Sequence, residues 1–336
     1  MREKVLLKLK ENQSNFVSGE KLSECLGVSR TAVWKYVNEL RKEGYVIEAS
    51  PKKGYKLVPP VDLLNGYELG YKLDTDILGR KIHYLRTVDS TNNYAKKLAS
   101  EGEREGTVVV AETQTAGKGR LGRSWSSAGK KGIWMSLILR PQIPPDVVQI
   151  VTLAAAVAVV KAFEKGIGVT AGIKWPNDII LDGKKVCGIL TEMSSEMEAV
   201  NFVVLGIGVN VNQLQEDFPD EVRSTAVSLR IYRGKHESGE ICLLHRSEII
   251  KKILFELEQL YIKINNSDFK GIIESWKRYS VTLGKEVRVI LKNSSIYEGT
   301  AKDITKDGRL VIDCVDGVTR ELLSGEVSVR GLLDYI

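Results

Sequence analysis

Apolar positions recur at helical spacing near the start of the chain. Val5, Leu6 and Leu9 fall on one face of a first helix, and Leu22, Cys25 and Leu26 on one face of a second. Ser18 is placed to cap the second helix, and Gly27 to turn the chain out of it. Val33, Val37 and Leu40 then repeat at i, i+4 and i+7, so residues 30–43 read as a third helix capped by Ser29. Arg30, Thr31, Trp34, Lys35 and Asn38 are left on its other faces, the layout of a recognition helix. Gly44 stops it, and residues 45–48, a basic tip at 49–54 and residues 55–57 read as strand, turn and strand. This order resembles a winged helix-turn-helix, with a three-helix protein-interaction module as the alternative.

Val58-Pro59-Pro60 disfavours helix and sets a boundary near residue 60. Beyond it, strand-like runs (82–88, 107–111, 133–139, 202–209) are interspersed with helical ones (93–99, 146–163, 240–263), the pattern of a mixed α/β domain. The most apolar segment, Val147 to Phe163, contains Gln149 and Thr152 and falls short of the roughly 20 apolar residues that a bilayer requires. It reads as a buried helix. From Gly284 the pattern alternates: 284–289, 296–304, 309–314 and 319–329 read as short strands turning at Asp307-Gly308 and Asp316-Gly317, a small β-barrel. The expectation is a multidomain α+β chain divided at 1–60, 61–278 and 279–336.

Charge sharpens this division. The 336 residues carry a net charge of +6, and residues 1–58 hold 12 Lys and Arg against 7 Glu, whereas the remainder holds 37 cations against 36 anions. A small basic module on a neutral body is the footprint of a nucleic-acid-binding appendage, with Ser29, Arg30, Thr31, Trp34, Lys35, Asn38 and the tip residues Lys52 and Lys53 as candidate DNA contacts. Lys8, Lys10 and Glu11 interrupt the only early apolar cluster, so a cytoplasmic protein with no membrane partner is expected. Cys25, Cys187, Cys242 and Cys314 show no C-x-x-C spacing and the three histidines no ligand cluster, which points to reduced structural thiols and no metal site.

The most unusual stretch is Gln114-Thr115-Ala116-Gly117-Lys118-Gly119-Arg120-Leu121-Gly122-Arg123-Ser124-Trp125. Glycine lets backbone N–H groups approach an anion and the interleaved cations neutralise it, so the composition suits a phosphate or acyl-phosphate. Residues 117–124 sit one residue from a P-loop signature, but Arg123 replaces its lysine and more loop follows where a helix is required. Gly206-Ile207-Gly208-Val209-Asn210-Val211 likewise misses the third glycine of a dinucleotide fingerprint and reads as a strand end. Asp89-Ser90-Thr91-Asn92 joins a strand to a helix, where such side chains commonly cap. Lys174-Trp175-Pro176-Asn177-Asp178 ends an apolar strand, and a hairpin turning at Asp182-Gly183 returns through Lys185.

Taken together and in order, Asp89 to Asn92, Gly117 to Arg123, Lys174 to Asp178 with Lys185 to Leu190, and Gly206 to Asn210 resemble the motifs of biotin-protein ligases. With the winged module in front, the chain is similar to the bifunctional class that also represses biotin-synthesis and transport genes. The resemblance implies a class II synthetase-like central domain and an SH3-like C-terminal barrel. It implies that biotin and Mg-ATP give biotinyl-5'-AMP, which then acylates a lysine of a biotin carboxyl carrier protein, and that the adenylate promotes a homodimer on operator DNA. By resemblance Lys185, Arg120 and Asp178 are catalytic. Ser90, Thr91, Asn92, Gln114, Gly117, Lys118, Gly119, Arg120, Trp125 and Lys185 hold biotin, and Arg123, Asn177 and Asn210 hold ATP or the adenylate. Lys118 stands where the best-known form of the loop has Arg, keeping the charge but losing bidentate contact. A non-enzymatic biotin-sensing repressor and a lipoate-protein ligase are the alternatives.

Overall fold

Ser18 and Ser29 each accept a hydrogen bond from a backbone N–H three residues on, Lys21 at 3.0 Å and Ala32 at 3.2 Å, so two helices begin where their capping residues dictate. The structure, a computed structural model, describes residues 1–12, 15–59, 62–127, 129–196, 199–237, 242–291, 296–323 and 327–331. The chain divides into two compact units, Met1–Leu63 and Leu64–Ile336.

In the first unit α1 (Arg2–Glu11), α2 (Gly19–Leu26) and α3 (Arg30–Lys42) precede an antiparallel pair, β1 (Ile47–Ser50) and β2 (Gly54–Leu57). Val5, Leu6, Leu9, Leu22, Val33, Val37 and Leu40 are buried, as the spacing requires. Cys25 is the correction: it is exposed, and Leu26 only half-buried. An α2 of only two turns buries a narrow stripe centred on Leu22, and Cys25 lies to the outer side of it. Cys242 is exposed as well, so only Cys187 and Cys314 are interior thiols. Pro60, in the expected linker, lies outside the described residues.

The second unit runs α4 (Gly66–Gly70), β3 (Ile82–Val88), α5 (Thr91–Ser100), β4 (Val108–Gln114), β5 (Gly132–Leu139), α6 (Gln149–Ile167), β6 (Gly172–Lys174), β7 (Asp178–Leu181), β8 (Lys184–Glu196), β9 (Ala199–Asn210), α7 (Asp220–Arg223), α8 (Leu229–His236), α9 (Arg246–Asn265) and α10 (Lys270–Tyr279). It ends with β10 (Glu286–Leu291), β11 (Ile296–Ile304), β12 (Leu310–Cys314), β13 (Thr319–Leu322) and β14 (Val327–Gly331). A seven-stranded sheet takes the order β3-β4-β5-β9-β8-β7-β6, parallel between β3 and β4 and antiparallel elsewhere. One face carries α5 on a small core of Ala95, Ala99, Val109, Ile138 and Val204. The main core includes α6 and α9.

α6 is long and apolar enough to cross a membrane, yet its residues from Ile150 to Val160 are buried within the protein. A helix apolar on all faces belongs in a core. α9 starts at Arg246 rather than in the expected position at Glu240, which itself lies outside the described residues. Asn212 exchanges two 2.9 Å hydrogen bonds with the backbone of Leu244, holding the preceding segment extended. The C-terminal strands form an antiparallel sheet in the order β13-β12-β11-β10-β14, and Val287, Val289, Ile304 and Leu310 join the main core. The run expected at 319–329 divides into β13 and β14, with 324–326 outside the described residues.

Candidate active site

A cleft of about 820 Å³ opens over the ends of β4, β5, β7, β8 and β9, and nearly every residue expected to act on a ligand lines it. Ser90, Thr91 and Asn92, all buried, and the half-buried Gln114 line what is taken as its closed end. Ser90 precedes α5 but makes no capping hydrogen bond with its side chain, so the capping role does not hold there. Gln114, the last residue of β4, accepts from Thr91 N (2.8 Å) and Thr91 Oγ1 (3.0 Å) and donates through Nε2 to Ser127 Oγ (2.8 Å). Trp134, Leu190 and Ile207 make the adjoining wall apolar.

The glycine-rich loop folds back on itself: Gly119 N donates to Arg123 O (2.7 Å), Trp125 N donates to Gly117 O (2.8 Å), and Arg120 to Gly122 form a single tight turn. No helix follows through Ser127, which removes the P-loop reading; Ala128 lies outside the described residues. Lys118, Gly119, Arg120 and Arg123 line the cleft, whereas Gly117 stands behind the lining. Lys118 Nζ donates to Asn93 Oδ1 (2.8 Å) and Arg120 Nη1 to Asn177 Oδ1 (3.0 Å).

β6 and β7 form a tight antiparallel pair joined by Trp175, Pro176 and Asn177, so Lys174 closes one strand and Asp178 opens the next. Asp182 and Gly183 both take positive φ in the turn to β8. That hairpin sets Lys185 Nζ 2.6 Å from Asp178 Oδ1. Burial pushes the Arg120 guanidinium below its ordinary value, and the nearby Asp178 carboxylate works against this shift. Arg120 and Lys185 thus flank one carboxylate beside an apolar chamber. An arrangement of this kind can bind a second anion and stabilise charge that moves between them.

Trp125 lies over β8 and β9. A Cβ built on Gly208 would stand 2.8 Å from Trp125 Nε1, and one on Gly188 2.9 Å from the same ring, so this close approach needs glycine at both positions. The indole Nε1 is buried with no hydrogen-bond partner among the described residues. Lys185 Nζ sits 5.1 Å from the ring centroid. Asn177 Nδ2 donates to Ile189 O (2.7 Å) and Asn210 Nδ2 to Val227 O (3.2 Å).

Sequence reasoning missed part of the wall. Phe218, Val222, Thr225 and Ala226 cover one side, and β10 brings Arg288 and Ile290 to the rim. The segment from Thr225 to Val227 is tied to the backbone of Lys185 (Lys185 N to Thr225 O 2.8 Å, Val227 N to Lys185 O 3.0 Å). Nothing in the spacing of that segment marks it. A buried ion pair, Arg246 Nη1 to Glu112 Oε2 at 2.7 Å, was missed because its partners come from α9 and β4.

In the first unit, Thr31, Trp34 and Lys35 are exposed on one face of α3, with Asn38 half-buried at its end. Trp34 is 58% exposed, which is unusual for so large an apolar side chain. Arg30 pairs with Glu20 (2.7 Å), Ser29 is committed to its cap, and Asn38 Oδ1 accepts from Arg41 Nη1 (3.3 Å). Lys52 and Lys53 are exposed at the β1–β2 tip.

Comparison with known proteins gives this arrangement a class. Residues 84–210 match the biotin/lipoate A/B protein ligase family, residues 2–56 an HTH domain, and residues 282–330 the biotin protein ligase C terminal domain. The chain is 42% identical to the bifunctional ligase/repressor BirA of Bacillus spizizenii over 94% of both proteins. It is 29% identical to the bifunctional ligase/repressor BirA of Escherichia coli over 94% of this chain and 93% of that one. A solved structure of biotin protein ligase from Aquifex aeolicus in complex with biotin and ATP is 30% identical, with a TM-score of 0.64, over 75% of this chain and 99% of that one. The chain belongs to the family of bifunctional biotin ligase/repressors.

Proposed function

We propose that the chain activates biotin with Mg-ATP and transfers it to a lysine of a biotin carboxyl carrier protein, and that it represses biotin synthesis and transport genes with biotinyl-5'-AMP as corepressor. The observation that carries the reading is the pairing, in one cleft, of a polar closed end with Arg120 and Lys185 around Asp178. A biotin carboxylate and an ATP α-phosphate repel one another, so the chemistry needs cations between them. In the first step a carboxylate oxygen forms a bond to the α-phosphorus and the bond to pyrophosphate breaks. In the second, a carrier lysine attacks the acyl carbon, the acyl–phosphate bond breaks and AMP leaves.

Arg120, Lys118 and Lys185 would neutralise the anions, and Ser90, Thr91, Asn92 and Gln114 would receive the ureido end of biotin, with Trp125 over the bicycle. Gly117 and Gly119 would let the loop backbone approach. Arg123, Asn177 and Asn210 would face the nucleotide, and Asp178 would assist the incoming amine. Mg2+ would arrive with ATP as part of the substrate; among the described residues no group of three His, Cys, Asp or Glu side chains could hold a resident metal.

The finer architecture is proposed likewise: a central domain of class II synthetase type, an SH3-like C-terminal barrel, and boundaries near 60 and 278. Ser29, Arg30, Thr31, Trp34, Lys35, Asn38, Lys52 and Lys53 would meet operator DNA, in a cytoplasmic homodimer that the adenylate promotes. The exposed face of α3 and the basic tip support this. Incubation with Mg-ATP, a purified carrier domain and either biotin or lipoate tests the ligase reading. Carrier modified with biotin alone is expected. Modification with lipoate instead would move the chain to lipoate ligation, and release of no pyrophosphate would leave a biotin sensor.

A further inference from the structure

We infer that Glu192, which does not line the cleft, acts through Asn92 and Ser136 to make the closed end of the cleft short of hydrogen-bond donors, so that it selects a ligand edge carrying N–H groups. This rests on the biotin-ligase reading and adds the residue that sets polarity at the ureido end.

Ser136, on β5, is fully buried. Its hydroxyl lies 2.8 Å from Thr91 Oγ1 and 2.6 Å from Asn92 Oδ1, and Thr91 Oγ1 lies 3.0 Å from Gln114 Oε1. Amide oxygens only accept, so these three links share two hydroxyl hydrogens, those of Ser136 and Thr91. One link always lacks a hydrogen. A ligand N–H aimed at Thr91 Oγ1 or Asn92 Oδ1, on residues that both line the cleft, donates to the oxygen left without a hydrogen. A ligand carbonyl at that point would face lone pairs instead.

The deficit depends on which way Asn92 faces. Its Nδ2 donates to Glu192 Oε2 at 2.8 Å and, at the longer distance of 3.4 Å, to Leu190 O, and Glu192 also pairs with Lys96. A carboxylate only accepts, so it holds the amide N–H toward itself and the amide oxygen toward Ser136. Without that carboxylate only the 3.4 Å bond to Leu190 O opposes the amide turning over, and a bond that long is weak. Nδ2 would then donate to Ser136, Ser136 to Thr91 and Thr91 to Gln114, and the network would fill its own deficit. Gly206 permits the arrangement, since a Cβ there would lie 2.2 Å from Asn92 Oδ1. Glu192 is thus a positioning residue.

Calorimetric titration with biotin, and with biotin methylated on its ureido nitrogens, tests the inference. Glu192→Leu is expected to raise the biotin Kd about tenfold, the upper range for one hydrogen bond. It is also expected to lose most of the preference for biotin over the methylated form, with KM for ATP unchanged. The double variant Glu192→Leu, Asn92→Asp restores an acceptor-only group beside Ser136 and should regain affinity. Lys96→Met removes the outer cation alone and should leave the biotin Kd unchanged. An unchanged Kd in Glu192→Leu, or an equal loss in Lys96→Met, would overturn the inference while leaving the ligase reading intact. A wild-type protein that binds no biotin would overturn both.

Discussion

Lys185 and Arg120 are held in different ways around the same carboxylate. Lys185 is ion-paired to Asp178 at 2.6 Å, whereas Arg120 reaches across from the glycine-rich loop and is held by Asn177 at 3.0 Å. Removing a preorganised charge stabiliser typically slows an enzyme by roughly 10²–10³. Lys185→Ala and Arg120→Ala are therefore each expected to slow adenylate formation by at least about 10², read as single-turnover pyrophosphate release. A wild-type rate in either would remove that residue from the reaction. Gly208→Ala should act by a different route, because its Cβ would meet Trp125 Nε1 at 2.8 Å and displace the ring. Calorimetry should show biotin affinity falling by more than about tenfold while circular dichroism is unchanged. Arg246→Met leaves Glu112 buried without its 2.7 Å partner and should cost about 3–5 kcal/mol in urea denaturation. Thr91, Gln114 and Lys185 were legible in the sequence because each lies in a short motif. Ser136 and Glu192 were not, because their meaning depends on contacts between β5, β8 and α5 that no local spacing encodes.

Among the elements, periodicity located those whose faces differ or that end on a turn signal. β3 and β11 coincide with the expected runs, and α3 buries Val33, Val37 and Leu40 as read. The covering segment around Phe218 was invisible, since it is laced to β8 through main-chain hydrogen bonds that leave no residue pattern. The start of α9 was misplaced for a similar reason: the Asn212 carboxamide, distant in sequence, fixes the residues before it. The division of the chain into Met1–Leu63 and Leu64–Ile336 leads to an experiment at this scale. A chain lacking residues 1–63 is expected to biotinylate the carrier while losing operator binding in electrophoretic shift assays. Loss of both activities would contradict a separable DNA-binding unit.

At the scale of the whole molecule, the charge excess gathers in the first 58 residues and the cleft belongs to the second unit. One winged module reads few base pairs, so useful specificity calls for two copies on two half-sites. Sedimentation with no ligand, with biotin, and with biotin plus Mg-ATP is expected to show dimerisation strongest in the last condition. Operator affinity at fixed salt should follow the same order. Equal behaviour in all three would separate repression from ligand binding. All of this depends on the cleft joining biotin to the α-phosphate. Native mass spectrometry of the purified protein after exposure to biotin and Mg-ATP, without carrier, tests that step most directly. The account predicts a retained mass equal to biotinyl-5'-AMP together with free pyrophosphate; protein carrying only intact biotin or ATP, with no pyrophosphate released, would contradict it.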